Sequence, residues 1–160
     1  MSTDSFWPAL VRSPHGWTPE VRQEAVNQME ARLDDLTDTV EIAEAGAEYL
    51  CTLLKARTVT IIALRHGKYF DIVNVGYVPP DSFRYPSSRG YPTWEYPLAT
   101  KELGAFGAYF TKDPSDPRFV EYVRVWDDPG VTSIMGVGIV ADGELHGEIF
   151  HTGDRTRPPF

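Results

Sequence analysis

His146 and Glu148 stand two residues apart in a stretch that alternates apolar and polar side chains, a spacing that sets an imidazole beside a carboxylate on one face of a strand. Such a pair can exchange a proton with a bound molecule, or fix the polar groups of a ligand in place. No nucleophile accompanies it, because the chain has no Gly-x-Ser-x-Gly elbow, phosphate-binding loop or metal-spaced cluster. The histidines are His15, His66, His146 and His151. The last two lie five apart in one strand and are expected to point to opposite sides, which excludes a shared metal and leaves His146 alone as a candidate haem ligand. A binding site is therefore the expectation, with an enzyme using His146 and Glu148 as an alternative.

A hairpin must position the pair. Asp142-Gly143 separates the apolar runs 132–140 and 144–150, and Asp-Gly between such runs signals a two-residue type I′ turn, whose central residues both need positive φ. Strict register then pairs Ala141 with Glu144, Ile139 with His146, Val137 with Glu148 and Met135 with Phe150 on one face. The other face carries Ile134, Gly136, Gly138, Val140, Leu145, Gly147 and Ile149. Its three glycines leave it shallow enough for a helix to approach, so it is expected to be the helix-covered side. The first face, bulky and bearing two groups that are costly to bury alone, is expected to floor a pocket. The alternative is that it meets water, as one face of an antiparallel sheet often does.

A roof for that floor is supplied by residues 81–97, where Phe83, Arg84, Tyr85, Arg89, Tyr91, Trp94 and Tyr96 lie among prolines and Gly90. The segment is too proline-rich for regular core structure, and an irregular segment so dense in aromatics reads as a lid or pocket wall. It reads alternatively as a plug packed on the sheet with no ligand. The expected ligand-binding set takes stacking surface from Tyr85, Tyr91, Trp94 and Tyr96 and an anion contact from Arg84 or Arg89. His146 and Glu148 orient the ligand, and Tyr109, Met135, Val137 and Phe150 complete the walls. No metal site and no particular cofactor is implied.

At 160 residues the chain is sized for one domain with a real core. Its 42% hydrophobic and 24% charged residues are those of a globular protein. No apolar run is long enough to span a membrane, and the opening Met-Ser-Thr-Asp-Ser lacks the basic start of a signal peptide, so a cytoplasmic protein is expected. Cys51 stands alone and reads as a small buried apolar side chain. Most of the net charge of -8 falls on residues 20–48, with nine acidic residues against Arg22 and Arg32. An acidic chain without a basic stripe offers nucleic acid no electrostatic footprint.

Along the chain, residues 1–19 read as an irregular arm with Phe6, Trp7 and Trp17 as apolar anchors. Apolar spacing predicts helices over 20–36 and 38–56, the second opened by Asp38 and Glu41. Strands follow at 58–64 and 69–78 around a His66-Gly67-Lys68 turn. A short helix at 99–106, a strand at 108–111 and a helix at 120–126 precede the final hairpin. Residues 20–152 form the predicted domain, with sheet and roof from 57 to 152, and residues 153–160 are a tail.

This order resembles the GAF domain family over about residues 42–150. Its specific parts are the Asp116-Pro117-Arg118-Phe119 turn, the stretch 130–134, and the hairpin 137–147 with Gly147 following Leu145. The resemblance implies an α+β, GAF-like fold related to the PAS and profilin folds. Its central antiparallel sheet has about five to six strands, terminal helices on one face and a ligand pocket on the other. It further implies a small-molecule sensor that signals through protein association and often dimerises through its helices. The cyclic-nucleotide signature is not recognisable, a single cysteine cannot support reduction of methionine sulfoxide, and Cys51 sits on a helix away from the expected bilin site. The family's C-terminal helix is also missing, so the first helix or another subunit is expected in its place. A module that binds no ligand and serves only dimerisation or interaction is the alternative.

Overall fold

A computed structural model describes residues 18–77 and 90–156. Helix α1, Pro19–Leu33, begins where Thr18 accepts a hydrogen bond from the Val21 amide and Pro19 occupies the first turn. It ends three residues before the predicted limit, where Asp34 and Asp35 would set negative charge against the negative end of the helix dipole. Helix α2, Thr39–Leu53, is capped by Asp38, whose side chain accepts from Val40 and Glu41 at 2.8 and 3.0 Å. Strands β1, Ala56–Arg65, and β2, Lys68–Gly76, join through His66 and Gly67, both at positive φ.

After β3, Tyr91–Pro92, comes helix α3, Pro97–Phe106, which stops at left-handed Gly107 and leads into β4, Ala108–Thr111. The helix expected at 120–126 is instead a 3₁₀ segment, Pro117–Asp127, interrupted by non-helical Phe119. The chain closes with β5, Val131–Ala141, and β6, Glu144–Asp154, around Asp142 and Gly143 at positive φ. β6 thus runs two residues past the predicted end of the domain.

The six strands form one antiparallel sheet in the order β3-β2-β1-β6-β5-β4. Helix α2 covers one face, burying Ala47, Ala56 and Val59 with Ile61, Val73, Val75 and Ile149 packed around them. Helix α1 packs on α2 through Ala25, Tyr49 and Leu53, and the Tyr49 hydroxyl donates to the Ala25 carbonyl at 2.8 Å. The other face is covered by α3, the 3₁₀ segment and a cluster of aromatic rings. The expected α+β architecture, helices on one face and an aromatic cover on the other, is the observed one.

The hairpin register differs from the prediction, and the difference inverts its faces. Ala141 pairs with Glu144 and Val140 with Leu145, but Ile139 pairs with Gly147, Gly138 with Glu148, Val137 with Ile149, Gly136 with Phe150 and Met135 with His151. His146 is an extra residue in β6, a β-bulge that shifts the pairs from Ile139–Gly147 to Ile134–Thr152 by one and so exchanges the faces, until a second irregularity before Val131–Asp154. Gly136 and Gly138 lie on the aromatic side together with Glu148 and Phe150, not on the side that α2 covers. Met135 and Val137 share the helix side with His151 and Ile149. Gly147 sits so close to β1 that a side chain there would collide with the Ile62 carbonyl, which explains a glycine at the bulge.

An ion cluster ties the end of the sheet where β1 starts and β6 finishes. Arg57 donates to both carboxylate oxygens of Asp128, one at 2.9 Å, lies 3.8 Å from Asp154 and stacks 4.1 Å from the Tyr77 ring. A side chain on Gly130 would strike the guanidinium.

Because Gly147 faces β1 backbone while His146 is exposed, the two bulge residues tolerate change unequally. Gly147→Ala is expected to cost about 2 to 3 kcal/mol through overpacking, whereas His146→Ala changes stability by less than about 0.5 kcal/mol. Urea denaturation of both variants measures this, and equal costs would contradict the register.

Candidate ligand site

The site is built on the floor that the bulge creates. Gly136 has no side chain, and the space a Cβ would take is filled by Glu148 Oε1 and the Tyr109 ring. Tyr109 reaches that gap from β4, where it pairs with Gly136, and its hydroxyl donates to Glu148 Oε1 in a short hydrogen bond. The Tyr122 hydroxyl, from the 3₁₀ segment, lies 2.8 Å from that of Tyr109. A phenol has one proton, and that of Tyr109 goes to Glu148, so Tyr122 donates to Tyr109 and the three groups form a directed chain ending on the carboxylate.

Rings surround this chain. Tyr122 stacks on Phe150 with centroids 5.6 Å apart and planes 10° from parallel, and it also meets Tyr96 at 5.4 Å. Tyr91 continues the row, 5.2 Å from Tyr96 and 5.5 Å from Tyr69. Phe119 closes the other side at 5.6 Å from Tyr109. The row is pinned at its polar tips: Tyr91 donates to Asp71 Oδ1 at 3.1 Å, and the Tyr69 and Thr100 hydroxyls share a 2.8 Å hydrogen bond. Glu121 holds the start of α3, accepting from the Leu98 and Ala99 amides at 3.4 and 3.1 Å.

Glu148 is 3% exposed. Burial pushes its pKa up to about 7. The hydrogen bond from Tyr109 opposes that shift, and the negative charges of Asp71 and Glu121 add to it. Burial likewise raises the pKa values of Tyr109 and Tyr122, and the nearby Glu148 charge reinforces the rise. On the opposite face His151 is buried with neither ring nitrogen hydrogen-bonded, and burial lowers its pKa. Among the described residues no group of histidine, cysteine and acidic side chains is arranged to hold a metal ion.

Of the residues singled out from sequence, the structure gathers Tyr91, Tyr96, Tyr109, Glu148 and Phe150 into this one cluster. It does not bring in Met135 and Val137, which the bulge turns to the helix side, nor Trp94, which is 74% exposed. His146 is exposed, with Nε2 3.3 Å from the Ala141 carbonyl, so the expected imidazole–carboxylate pair is not formed. Arg84, Tyr85 and Arg89 lie outside the described residues. Tyr122, Phe119 and Tyr69 escaped the sequence reading. Three-residue spacing of Phe119, Tyr122 and Val125, the repeat of a 3₁₀ helix, was the signal for the first two.

This sheet, its order and its helix-covered face are the GAF fold. The chromophore-binding domain of phytochrome P1 from Stigmatella aurantiaca is similar with a TM-score of 0.67 at 18% identity, over 91% of this chain and 57% of that one. This chain thus spans a little over half the length of that phytochrome structure. A GAF domain/HD domain protein from Geobacter sulfurreducens matches at a TM-score of 0.63 and 21% identity, over 81% of this chain and 83% of that one. A far-red-absorbing protein with bound biliverdin matches at 0.62 and 13% identity, over 85% of each chain. No protein-family model matches the chain, and no curated protein does. Among the described residues no helix is long and apolar enough to cross a membrane.

Glu148 and His151 give stability opposite pH dependences. Glu148 keeps its proton in the folded chain from its ordinary 4.5 up to about 7, so the linked stabilisation is complete below 4.5 and is lost as pH rises through about 7. His151 resists protonation, so its contribution is complete above 6.5 and is lost as pH falls below that value. Glu148→Gln is expected to gain stability over the parent at about pH 8 and to lose that advantage by about pH 5. Urea denaturation at both pH values checks this, and a difference independent of pH would refute the assignment.

Proposed function

We propose that the chain is a cytoplasmic sensory module that takes a small-molecule effector on the aromatic face of its sheet, beneath residues 81–110. The signal then passes by protein association, with a homodimer through α1 and α2 as the expected arrangement. Glu148 is the observation that carries this reading. A fold has no structural need for an acid at the centre of a ring cluster, where a neutral side chain would avoid the cost of desolvation. A buried acid with a shifted pKa among aromatic walls is instead the pattern of a binding site. Tyr91, Tyr96, Tyr109, Tyr122 and Phe150 are proposed to line the effector and Glu148 to orient it. Arg84, Tyr85 and Arg89 are retained as proposed roof contacts, and His146 and Trp94 are proposed at its rim. Chromophore and biliverdin binding in similar structures supports small-molecule binding as the class of function.

A second reading, an interaction module with no ligand, is favoured by a specific observation. Tyr69, Tyr91, Tyr96, Tyr109 and Tyr122 bury one another to below a tenth exposed, while Phe110, Val137 and Ile139 leave an apolar strip open on the helix side of β4 and β5.

Native mass spectrometry and an absorption spectrum of freshly purified protein decide between them. The sensory reading expects a co-purified molecule whose occupancy falls by about tenfold or more in Tyr122→Ala, from loss of stacking surface, and by less in Trp94→Ala at the rim. A dimer with no bound molecule would support the interaction module instead.

A further inference from the structure

Beyond the aromatic face, we infer that the open apolar strip on the helix side of β4 and β5 is the docking surface of the chain's own N-terminal segment, anchored by Phe6 and Trp7. Ala108 and Phe110 on β4 stand beside Met135, Val137 and Ile139 on β5, all on the face opposite Tyr109 and Gly136. Helix α2 stops short of them. Its cluster takes in Ile61, Val73, Val75 and Ile149 on β1, β2 and β6 but, among the described residues, none of β4 or β5, and α1 packs on α2. Phe110 is left 51% exposed, Val137 37% and Ile139 36%.

The size of the strip decides what kind of occupant it fits. Those exposures leave on the order of 200 Å² of side chain open, against the roughly 800 Å² that each partner of a stable dimer buries. A tethered segment docks on less, because its link holds it at high effective concentration. Residues 78–89 are fixed at both ends to β2 and β3, at the edge of the sheet far from β4, and α2 lies between them and the strip on this face. Residues 157–160 extend only about 13 Å beyond β6. Ile139 stands about 27 Å along β5 from Val131, the residue that pairs with Asp154.

The N-terminal segment has both the reach and the chemistry. The short link 34–38 folds α1 back along α2, so the first turn of α1 lies beside Leu53, after which Ala56 enters the sheet opposite Gly153. Residues 8–17 extend to about 35 Å from there, while β4 is three strand spacings from β1, about 15 Å. Phe6 and Trp7 arrive together, with Leu10 and Val11 following, and apolar surface on both sides leaves water when they meet the strip. Within residues 1–11 the one charged side chain is Asp4, and Lys112, whose Nζ lies 5.8 Å from the Phe110 ring, stands at the end of the strip with the opposite charge.

Methyl-resolved NMR of the full chain tests this. The Val137 and Ile139 methyl groups are expected to show nuclear Overhauser contacts to the rings of Phe6 or Trp7. A segment docked about nine-tenths of the time leaves the strip open a tenth of the time, so broadening of those methyls by a soluble paramagnetic probe should rise about tenfold in Phe6→Ala/Trp7→Ala. Phe110→Ser should weaken the same contacts from the other side. Contacts that arise only between differently labelled copies put a second molecule on the strip and overturn the proposal. Absence of contacts in the unaltered chain also overturns it, whether or not a variant folds well.

Discussion

A carboxylic acid held out of water and met, among the described residues, by one phenolic hydrogen bond is the constraint around which the aromatic side of this sheet is arranged. Glu148 fits only because its neighbour across the hairpin, Gly136, has no side chain and leaves room for the acid and for the Tyr109 ring. The bond couples three elements distant in sequence: β6 supplies the acid, β4 the first phenol and the 3₁₀ segment the second. Loss of any one strands a buried polar group, and such groups cost more unpaired than they contribute when paired.

The arrangement depends in turn on one extra residue. A strand alternates its side chains with period two, so the bulge at His146 transfers the residues from Gly147 to Thr152 to the opposite face. The residues displaced to the helix side then fare unequally. Ile149 packs beneath α2, His151 is buried without hydrogen bonds, and Val137 and Ile139 extend past the helix into solvent with Phe110. At the far end of the sheet Arg57 holds Asp128 and Asp154 together, joining the start of β1 to the segments that begin β5 and end β6. The sheet is therefore clamped by charge at one end and by a neutral-to-ionised hydrogen-bond chain near its middle. Stability and the ionisation of the site are consequently linked.

Much of the architecture was legible before any coordinates. Asp38 marks a helix start by local chemistry, and His66-Gly67 and Asp142-Gly143 form tight turns because their residues accept positive φ. The aromatic cover was also readable, since tyrosines clustered in sequence near a two-sided sheet have few other places to bury. The site was legible only in part. Treating the hairpin as regular put His146 beside Glu148 and assigned Gly136 and Gly138 to the helix side. Nothing in the alternation of residues 131–152 announces a bulge, because both registers bury a comparable set of apolar groups. Tyr122 was hidden for a related reason: its segment has the three-residue repeat of a 3₁₀ helix and was read with an α-helical one.

What the sequence determined by itself is what near neighbours decide: helix starts, turn types, the apolar content of each strand and the GAF-like order of elements. These follow from forces acting over a few residues. The tertiary structure alone decided which face Glu148 occupies and which phenol reaches it. Both depend on how β6 lies against β1, where Gly147 is pressed against the Ile62 carbonyl and the strand accommodates one residue too many. That contact joins positions far apart in the chain, and the free-energy difference between the two registers is a sum over the whole sheet that no local pattern records.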